Sequence, residues 1–129
     1  MERREYQRIK TGNSKSMFYP YHDIGGFKEF PGFIDDISER GIGVLVKDEK
    51  YFGAIEELEI GEKLRFQAID EYTLYNHGRV DIVHGEVEIL RKESFFGSVK
   101  IGCKFTKSNA DLREYIKNRK VAVYLKEND

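Results

Sequence analysis

The amino-acid sequence predicts a mainly β fold, a small antiparallel β-barrel of about six strands followed by one C-terminal helix. Valine, isoleucine and aromatic residues recur in short runs separated by glycine-containing segments, which is typical of strands joined by turns. Several runs alternate apolar and polar residues with the period of two that a half-buried strand requires. Near the C-terminus the apolar spacing becomes helical, and 129 residues are enough for a single domain of this kind.

The N-terminal segment differs from the rest of the chain. Residues 1–15 are polar and lack a sustained apolar period, so we expect a mobile basic arm there and the barrel domain over residues 16–129. Pro20 falls within the first expected strand, at a position where an edge or a bulge would tolerate it. The expected strands cover residues 16–22, 27–34, 42–46, 64–68, 80–90 and 99–105.

Three local features add detail to this interpretation. Gly85 interrupts the fifth expected strand and predicts a kink. Phe95 and Phe96 precede a glycine in a predicted hairpin turn, which we expect to place one of the two rings in the core. A helix is expected from about residue 109, after a sequence that resembles a capping box, whereas residues 121–126 fit a helix and a strand equally well.

The composition and charge argue against several classes of function. A formal net charge of −1 gives the chain no overall attraction to a nucleic-acid polymer or to an anionic membrane. The charge is uneven, however, since residues 1–20 carry five basic and two acidic side chains, which favours a small anionic ligand. Cys103 is the single cysteine, so no intramolecular disulfide is possible. With no signal-peptide pattern and no run of roughly 18 apolar residues, we expect a cytoplasmic protein without membrane insertion.

Two short motifs contain the candidate functional residues. The first is an RxxxR sequence formed by Arg4 and Arg8, which Arg3 directly precedes. The second is a DxSxxG sequence over residues 36–41, which leads directly into a predicted strand. Taken alone, the first motif fits a solvated basic arm. The second fits an ordinary turn, in which Asp and Ser bond to nearby backbone amides and Gly adopts a positive φ.

The two motifs together are more specific than either alone. An RxxxR sequence, then 27 residues, then DxSxxG at the start of a strand resembles the signature of the PilZ family, and the resemblance covers nearly the whole chain. Residues 70–85 depart from it as a somewhat elongated hairpin. The resemblance implies a receptor for the second messenger cyclic di-GMP, with no catalytic residue, metal or cofactor. Such a receptor would order its N-terminal arm on binding and signal through contacts with a protein that the sequence does not name.

The arginines of the arm have roles that this resemblance implies. The planar guanidinium groups of Arg4 and Arg8 match phosphate oxygens and the O6/N7 edge of guanine in bidentate geometry. Arg3 would bridge or stack on a second ligand molecule, so that the chain takes up cyclic di-GMP as an intercalated pair.

The remaining candidate ligand-binding residues belong to the barrel. The resemblance implies that Asp36 accepts hydrogen bonds from the guanine N1–H and exocyclic amine, and that the Ser38 hydroxyl bonds to base or phosphate. Gly41 would bring the backbone close to the ligand. Gly43 and Gly102 fit a flat surface for a purine, although a glycine within a strand marks a bulge as often.

Two other classes of function stay open at this point. One is a PilZ-like interaction scaffold that does not bind the ligand. The other is a small barrel that binds single-stranded nucleic acid through aromatic residues such as Phe95 and Phe96, which requires a basic groove and a steep dependence on salt. The three histidines and Cys103 show no close-spaced pair on one element, so neither a metal site nor an enzyme is expected.

Overall fold

The computed structural model describes the chain over residues 9–69 and 77–127, and its side chains over residues 15–69 and 77–119. Within these ranges the helices α1 (Phe52–Glu56) and α2 (Ala110–Glu127) accompany the strands, and a 3₁₀ turn, Glu49–Tyr51, precedes α1. The six strands are β1 (Ile9–Pro20), β2 (Phe30–Ile37), β3 (Gly41–Val46), β4 (Lys63–Ile69), β5 (Ile82–Phe95) and β6 (Ser98–Phe105).

The six strands close into an antiparallel barrel in the order β1-β2-β3-β6-β5-β4. Every neighbouring pair is antiparallel, and the last strand of this order, β4, pairs with β1 to complete the circle. Alternate side chains face inward, as the sequence pattern requires, and the fully buried residues include Phe18, Phe66 and Ile101. The prediction of a six-stranded antiparallel barrel with a C-terminal helix is therefore confirmed.

Both helices add apolar residues to the core. Helix α1 lies between β3 and β4 and buries Ala54 and Ile55. The Lys92 ammonium donates to backbone carbonyls at the end of this helix, among them those of Ile55 and Leu58, and so caps it. Helix α2 buries Leu112 and other apolar residues against the barrel. It continues to Glu127, so the undecided residues 121–126 are helical.

The first strand begins earlier than the alternation in the sequence indicates. Strand β1 starts at Ile9, which pairs with Ile37 of β2, and so includes residues 9–15 of the segment predicted to be an arm. Residues 1–8 lie outside the described part of the chain. None of the helices in the described residues is long and apolar enough to cross a membrane.

Gly85, where a kink was expected, shows no shift of register, and the register irregularity of β5 lies further along the strand. The register with β4 runs through Gly85 without a shift, whereas the register with β6 shifts between Ile89 and Arg91. Gly85 is instead a packing site, because a Cβ atom there would lie 2.4 Å from a ring carbon of Phe66. The glycine makes room for an aromatic ring of the core.

The β5–β6 hairpin also differs from expectation at its tip. Phe95 is 52% exposed and Phe96 is fully exposed, so neither ring enters the core. The strand pairing explains this exposure. Val99, opposite Ser94, is the last buried residue at this end of the hairpin, and the next pair, Phe95 with Ser98, lies past the edge of the core.

Candidate ligand-binding face

The DxSxxG motif forms the tight connection between β2 and β3. The backbone N–H of Ser38 donates to the carbonyl of Gly41 at 2.9 Å, which closes the turn. The Ser38 hydroxyl oxygen accepts from the N–H groups of Arg40 and Gly41 at 3.2 and 3.3 Å. Because Ser38 is only 1% exposed, these bonds hold the turn in one conformation. The carbonyl of Arg40 accepts from the N–H of Phe105 at 2.8 Å, which ties the turn to the end of β6.

Gly41 is required for a reason other than a positive φ. The glycines with positive φ are at other positions of the chain. A Cβ atom at Gly41, however, would lie 1.9 Å from the backbone carbonyl oxygen of Cys103. No side chain fits there, since this distance is far below van der Waals contact. The turn interpretation was thus right about the location and wrong about the backbone conformation.

Four residues line up across the outside of the barrel, one from each of four neighbouring strands. Asp36 of β2 pairs with Gly43 of β3, Gly43 pairs with Gly102 of β6, and Gly102 pairs with Arg91 of β5. The register between β3 and β6 is continuous through both glycines, so neither glycine lies in a bulge of that pair. We call these four residues the cross-strand row.

Asp36 is the most buried charged group of this row and is paired with a lysine. It is 4% exposed, and its Oδ2 atom lies 3.0 Å from the Nζ of Lys100; Asp35 Oδ2 lies 3.3 Å from the same nitrogen. Burial by itself would lower the pKa of Lys100, but the hydrogen bond and charge of Asp36, followed by those of Asp35, outweigh it and raise that pKa. Lys100 is therefore held as a cation beside the two carboxylates.

Gly43 makes this ion pair possible. A Cβ atom at Gly43 would lie 2.7 Å from Asp36 Oδ2 and 3.0 Å from the Cε of Lys100. The lysine stem therefore passes over β3 where a side chain would otherwise stand. Gly43 acts here by allowing the close approach of two charged side chains.

Gly102 has the same relation to Arg91. A Cβ atom at Gly102 would lie 2.8 Å from the Nε and 2.9 Å from the Cγ of Arg91, so the arginine lies across the glycine. The Nε of Arg91 is also 3.5 Å from a carboxylate oxygen of Glu93, and both of these side chains are about half exposed. The cross-strand row thus carries a buried carboxylate at one end and an accessible guanidinium at the other.

The arm arginines, Arg3, Arg4 and Arg8, lie outside the described residues, so their positions stay predictions. The start of β1 nevertheless fixes where the arm joins the barrel. Ile9 pairs with Ile37, and Lys10 pairs with Asp36, which belongs to the cross-strand row. The chain that follows Arg8 therefore enters the barrel directly beside the DxSxxG turn.

Two residues of this face were missed from the sequence. Lys100 could have been found, because it stands two residues before Gly102 on a strand of clear alternation and so shares its face. Arg91 could not, because alternation from the inward-facing Val87 and Ile89 places it in the core. Within residues 9–69 and 77–127, no group of three or more His, Cys, Asp or Glu side chains could hold a metal ion.

Comparison with known proteins gives structural matches without sequence matches. No sequence-family model matches the chain, and no curated protein sequence does either. The PilZ domain of YcgR from Escherichia coli, solved with c-di-GMP, superposes with a TM-score of 0.66 over 98% of this chain and 95% of that one, at 13% identity. The chain has the fold of a PilZ domain.

Two longer proteins share this PilZ fold. The Bacillus subtilis inhibitor of motility MotI/DgrA matches with a TM-score of 0.70 and 17% identity over all of this chain and 55% of the other. The MrkH–c-di-GMP complex of K. pneumonia matches with a TM-score of 0.67 and 14% identity over 99% of this chain and 54% of that one. The chain thus spans about half the length of these two proteins.

Proposed function

We propose that this chain is a cyclic di-GMP receptor module whose ligand lies across the cross-strand row and is enclosed by the N-terminal arm. The observation that carries the proposal is the alignment of Asp36, Gly43, Gly102 and Arg91 across four strands, directly beside the turn built by the DxSxxG motif. The c-di-GMP complexes among the structures of the same fold support the choice of ligand.

The acidic end of the row suits a guanine edge. The N1–H and exocyclic amine of guanine are adjacent donors, and a carboxylate can accept from both. Asp36 supplies that carboxylate, with Lys100 bound to its Oδ2 atom in this structure. A guanine that reaches Asp36 would share the carboxylate with Lys100 or displace the lysine towards a phosphate of the ligand. The Ser38 hydroxyl would donate its hydrogen to base or phosphate while its oxygen keeps the turn closed.

The glycines and the arginine suit the face of a purine. Gly43 and Gly102 carry no side chain at the centre of the row, and the flexible side chains of Lys100 and Arg91 lie over them in this structure. A flat ring system would lie close to the sheet there once these two side chains move aside for the ligand. Arg91 at the far end has a planar guanidinium that can stack on a purine or bind a phosphate in bidentate geometry. Gly41 lets the turn pack on β6, which keeps the Asp36 end of the row in position.

The arm would complete the site from the other side. Arg4 and Arg8 would bind phosphates and guanine edges, and Arg3 would allow a second ligand molecule in an intercalated pair. Because Arg8 is joined directly to Ile9, which pairs beside the turn, the arm is within reach of a ligand on the row. Binding would then order the arm and present a new surface to a partner protein, which is a disorder-to-order switch.

Isothermal titration calorimetry with cyclic di-GMP tests the proposal, with GMP and cyclic AMP as comparison ligands. We expect direct binding of cyclic di-GMP and much weaker binding of the others. Arg4→Ala or Arg8→Ala should weaken binding about ten- to a hundredfold, since each removes charge-assisted hydrogen bonds of roughly 1.5–3 kcal/mol. Arg79→Ala is the matched control, because Arg79 is exposed, pairs with Asp81 and precedes β5 away from the row.

Two outcomes would contradict the proposal. No heat and no thermal shift at ligand concentrations well above micromolar would favour a scaffold that works through protein contacts alone. Arm variants that bind like the wild type would place the site elsewhere on the barrel.

Single-stranded nucleic acid is the second candidate, and the exposure of both Phe95 and Phe96 favours it more than the sequence did. Bases stack on exposed aromatic rings, and such binding weakens steeply as salt rises. Fluorescence anisotropy with a labelled oligothymidine over a range of salt concentrations tests it. Binding that Phe96→Ala abolishes would support this function, whereas no binding at low salt would exclude it for this probe.

A further inference from the structure

A pocket lies outside the cross-strand row, between the DxSxxG turn and helix α2. It has a volume of about 560 Å³, which is within the range of about 300–1,000 Å³ typical of small-molecule sites. None of the four residues of the cross-strand row lines it. The pocket is therefore distinct from the cross-strand row, although Glu39 and Arg40 of the DxSxxG turn line it.

The floor of this pocket is apolar and held in place. Phe105, Leu112 and Ile116 form it. The N–H of Phe105 is bound by the carbonyl of Arg40, and the N–H of Leu112 donates to the side chain of Asn109 at 2.7 Å, which caps α2. Because backbone bonds fix residues of both walls, the floor is formed before any ligand arrives.

The rim is strongly cationic. Arg40, Lys107, Arg113 and Lys117 line the pocket, whereas Glu39 is its one acidic lining residue. All five are exposed. The Nη1 atom of Arg113 donates to the Ser108 hydroxyl at 3.0 Å, which holds the guanidinium at the rim. An excess of positive charge over an apolar floor matches a ligand that joins an apolar body to a negative group.

We infer that this pocket binds a small organic anion, an aromatic or acyl compound that carries a carboxylate, sulfonate or phosphate group, at a site separate from that of cyclic di-GMP. The apolar body lies on Phe105, Leu112 and Ile116, and the anionic group lies at the Arg113 and Lys117 side of the rim. Glu39 and Arg40 belong to the same turn as Ser38, so the occupant touches the turn that supports the ligand row.

Fluorescence titration of the 129-residue chain with 8-anilinonaphthalene-1-sulfonate tests the inference, because this probe combines an aromatic body with a sulfonate. We expect saturable binding, and at least about a tenfold loss of affinity when Arg113→Glu and Lys117→Glu are combined, since charge-assisted bonds of this kind account for that factor. The matched control combines Lys28→Glu and Lys63→Glu, two exposed lysines that do not line the pocket, and changes the net charge equally. The control should keep its affinity within about twofold.

Amide chemical shifts of the labelled protein locate the probe, and they should change at Phe105, Leu112 and Ile116. The uncharged analogue N-phenyl-1-naphthylamine should bind more weakly and should not respond to the rim variants. Three results would overturn the inference: no saturable binding by a folded chain, equal losses in rim and control variants, or competitive displacement of the probe by cyclic di-GMP. Because the titration needs no nucleotide, a failure here leaves the cyclic di-GMP proposal standing, and the reverse also holds.

Discussion

The Asp36–Lys100 ion pair should contribute measurably to the stability of the barrel. The two side chains are 6% and 18% exposed, and their charged atoms are 3.0 Å apart. Hydrogen bonds to charged groups contribute about 1.5–3 kcal/mol, and removing one partner of a buried pair leaves the other charge uncompensated. Because Lys100 keeps some solvent contact, Lys100→Met should lower the free energy of unfolding by about 2 kcal/mol, near the lower part of these ranges.

A double-mutant cycle measures the interaction itself. Urea denaturation of the wild type, Asp36→Asn, Lys100→Met and the double variant should give a coupling free energy of about 1.5 kcal/mol. The Glu88–Lys104 pair provides the control, since it also joins two strands of the barrel, here the neighbouring β5 and β6, but is separated by 3.5 Å and is more exposed. Its cycle, with Glu88→Gln and Lys104→Met, should give about 0.2–1 kcal/mol.

Equal coupling free energies in the two cycles would contradict this prediction, because burial would then have no effect on the strength of the ion pair. A Lys100→Met variant as stable as the wild type would also contradict it. A changed slope of unfolding free energy against urea would instead show that the variant alters the unfolded or native ensemble. The free energies of unfolding would then have to be compared at the same urea concentration.

Substitutions at Gly41, Gly102, His22 and Arg3 have distinct expected outcomes. Gly41→Ala should destabilise the barrel by more than about 3 kcal/mol, because the added Cβ would collide with backbone. At Gly102 the added Cβ would meet the flexible Arg91 side chain instead. Gly102→Ala should therefore melt near the wild-type temperature in circular dichroism, yet bind cyclic di-GMP more weakly in calorimetry. The hydrogen bond with Glu62, 2.5 Å away, raises the pKa of His22 above 6.5, so protonated His22 stabilises the fold below about pH 6.5 and this contribution is lost as pH rises through the raised pKa. The melting temperature of the wild type should fall as pH rises through the raised pKa of His22, and His22→Gln should abolish this fall. The same dependence of melting temperature on pH in both proteins would refute the prediction. Arg3→Leu should reduce the calorimetric stoichiometry from about two ligands per chain towards one. An intercalated pair of ligands brings its phosphates together and needs added positive charge, which Arg3 supplies. A ratio of one in the wild type that the substitution does not change would leave Arg3 without a role.

The sequence determined those features whose physical cause is local. The alternation around β6 reflects one buried and one exposed face, so it located the strand and its inward residues. The DxSxxG turn was also predictable, because the Ser38 hydroxyl bonds to amides only two and three residues away. Helix α2 was expected from its capping sequence, and Asn109 does cap it.

Other features depend on partners that are distant in the sequence. Residues 121–126 have a spacing that fits two structures, and they are helical as the continuation of α2, which packs on the barrel. The pairing of Asp36 with Lys100 joins residues from β2 and β6. The residue pattern of either strand alone does not predict that the Lys100 side chain crosses Gly43 to reach the Asp36 carboxylate.

The position of the candidate site itself was decided by two register shifts. From the buried Ile34, strict alternation would place Asp36 in the core, but the register with β3 shifts between these residues and turns Asp36 outward beside Gly43. The shift between Ile89 and Arg91 does the same for Arg91 beside Gly102. An extra residue in one strand is defined by the partner strand against which it is counted, so bulges of this kind exist only once the strands have paired. The sequence therefore determined which residues could serve a ligand, and the pairing of the barrel decided that Asp36 and Arg91 lie on its outer face.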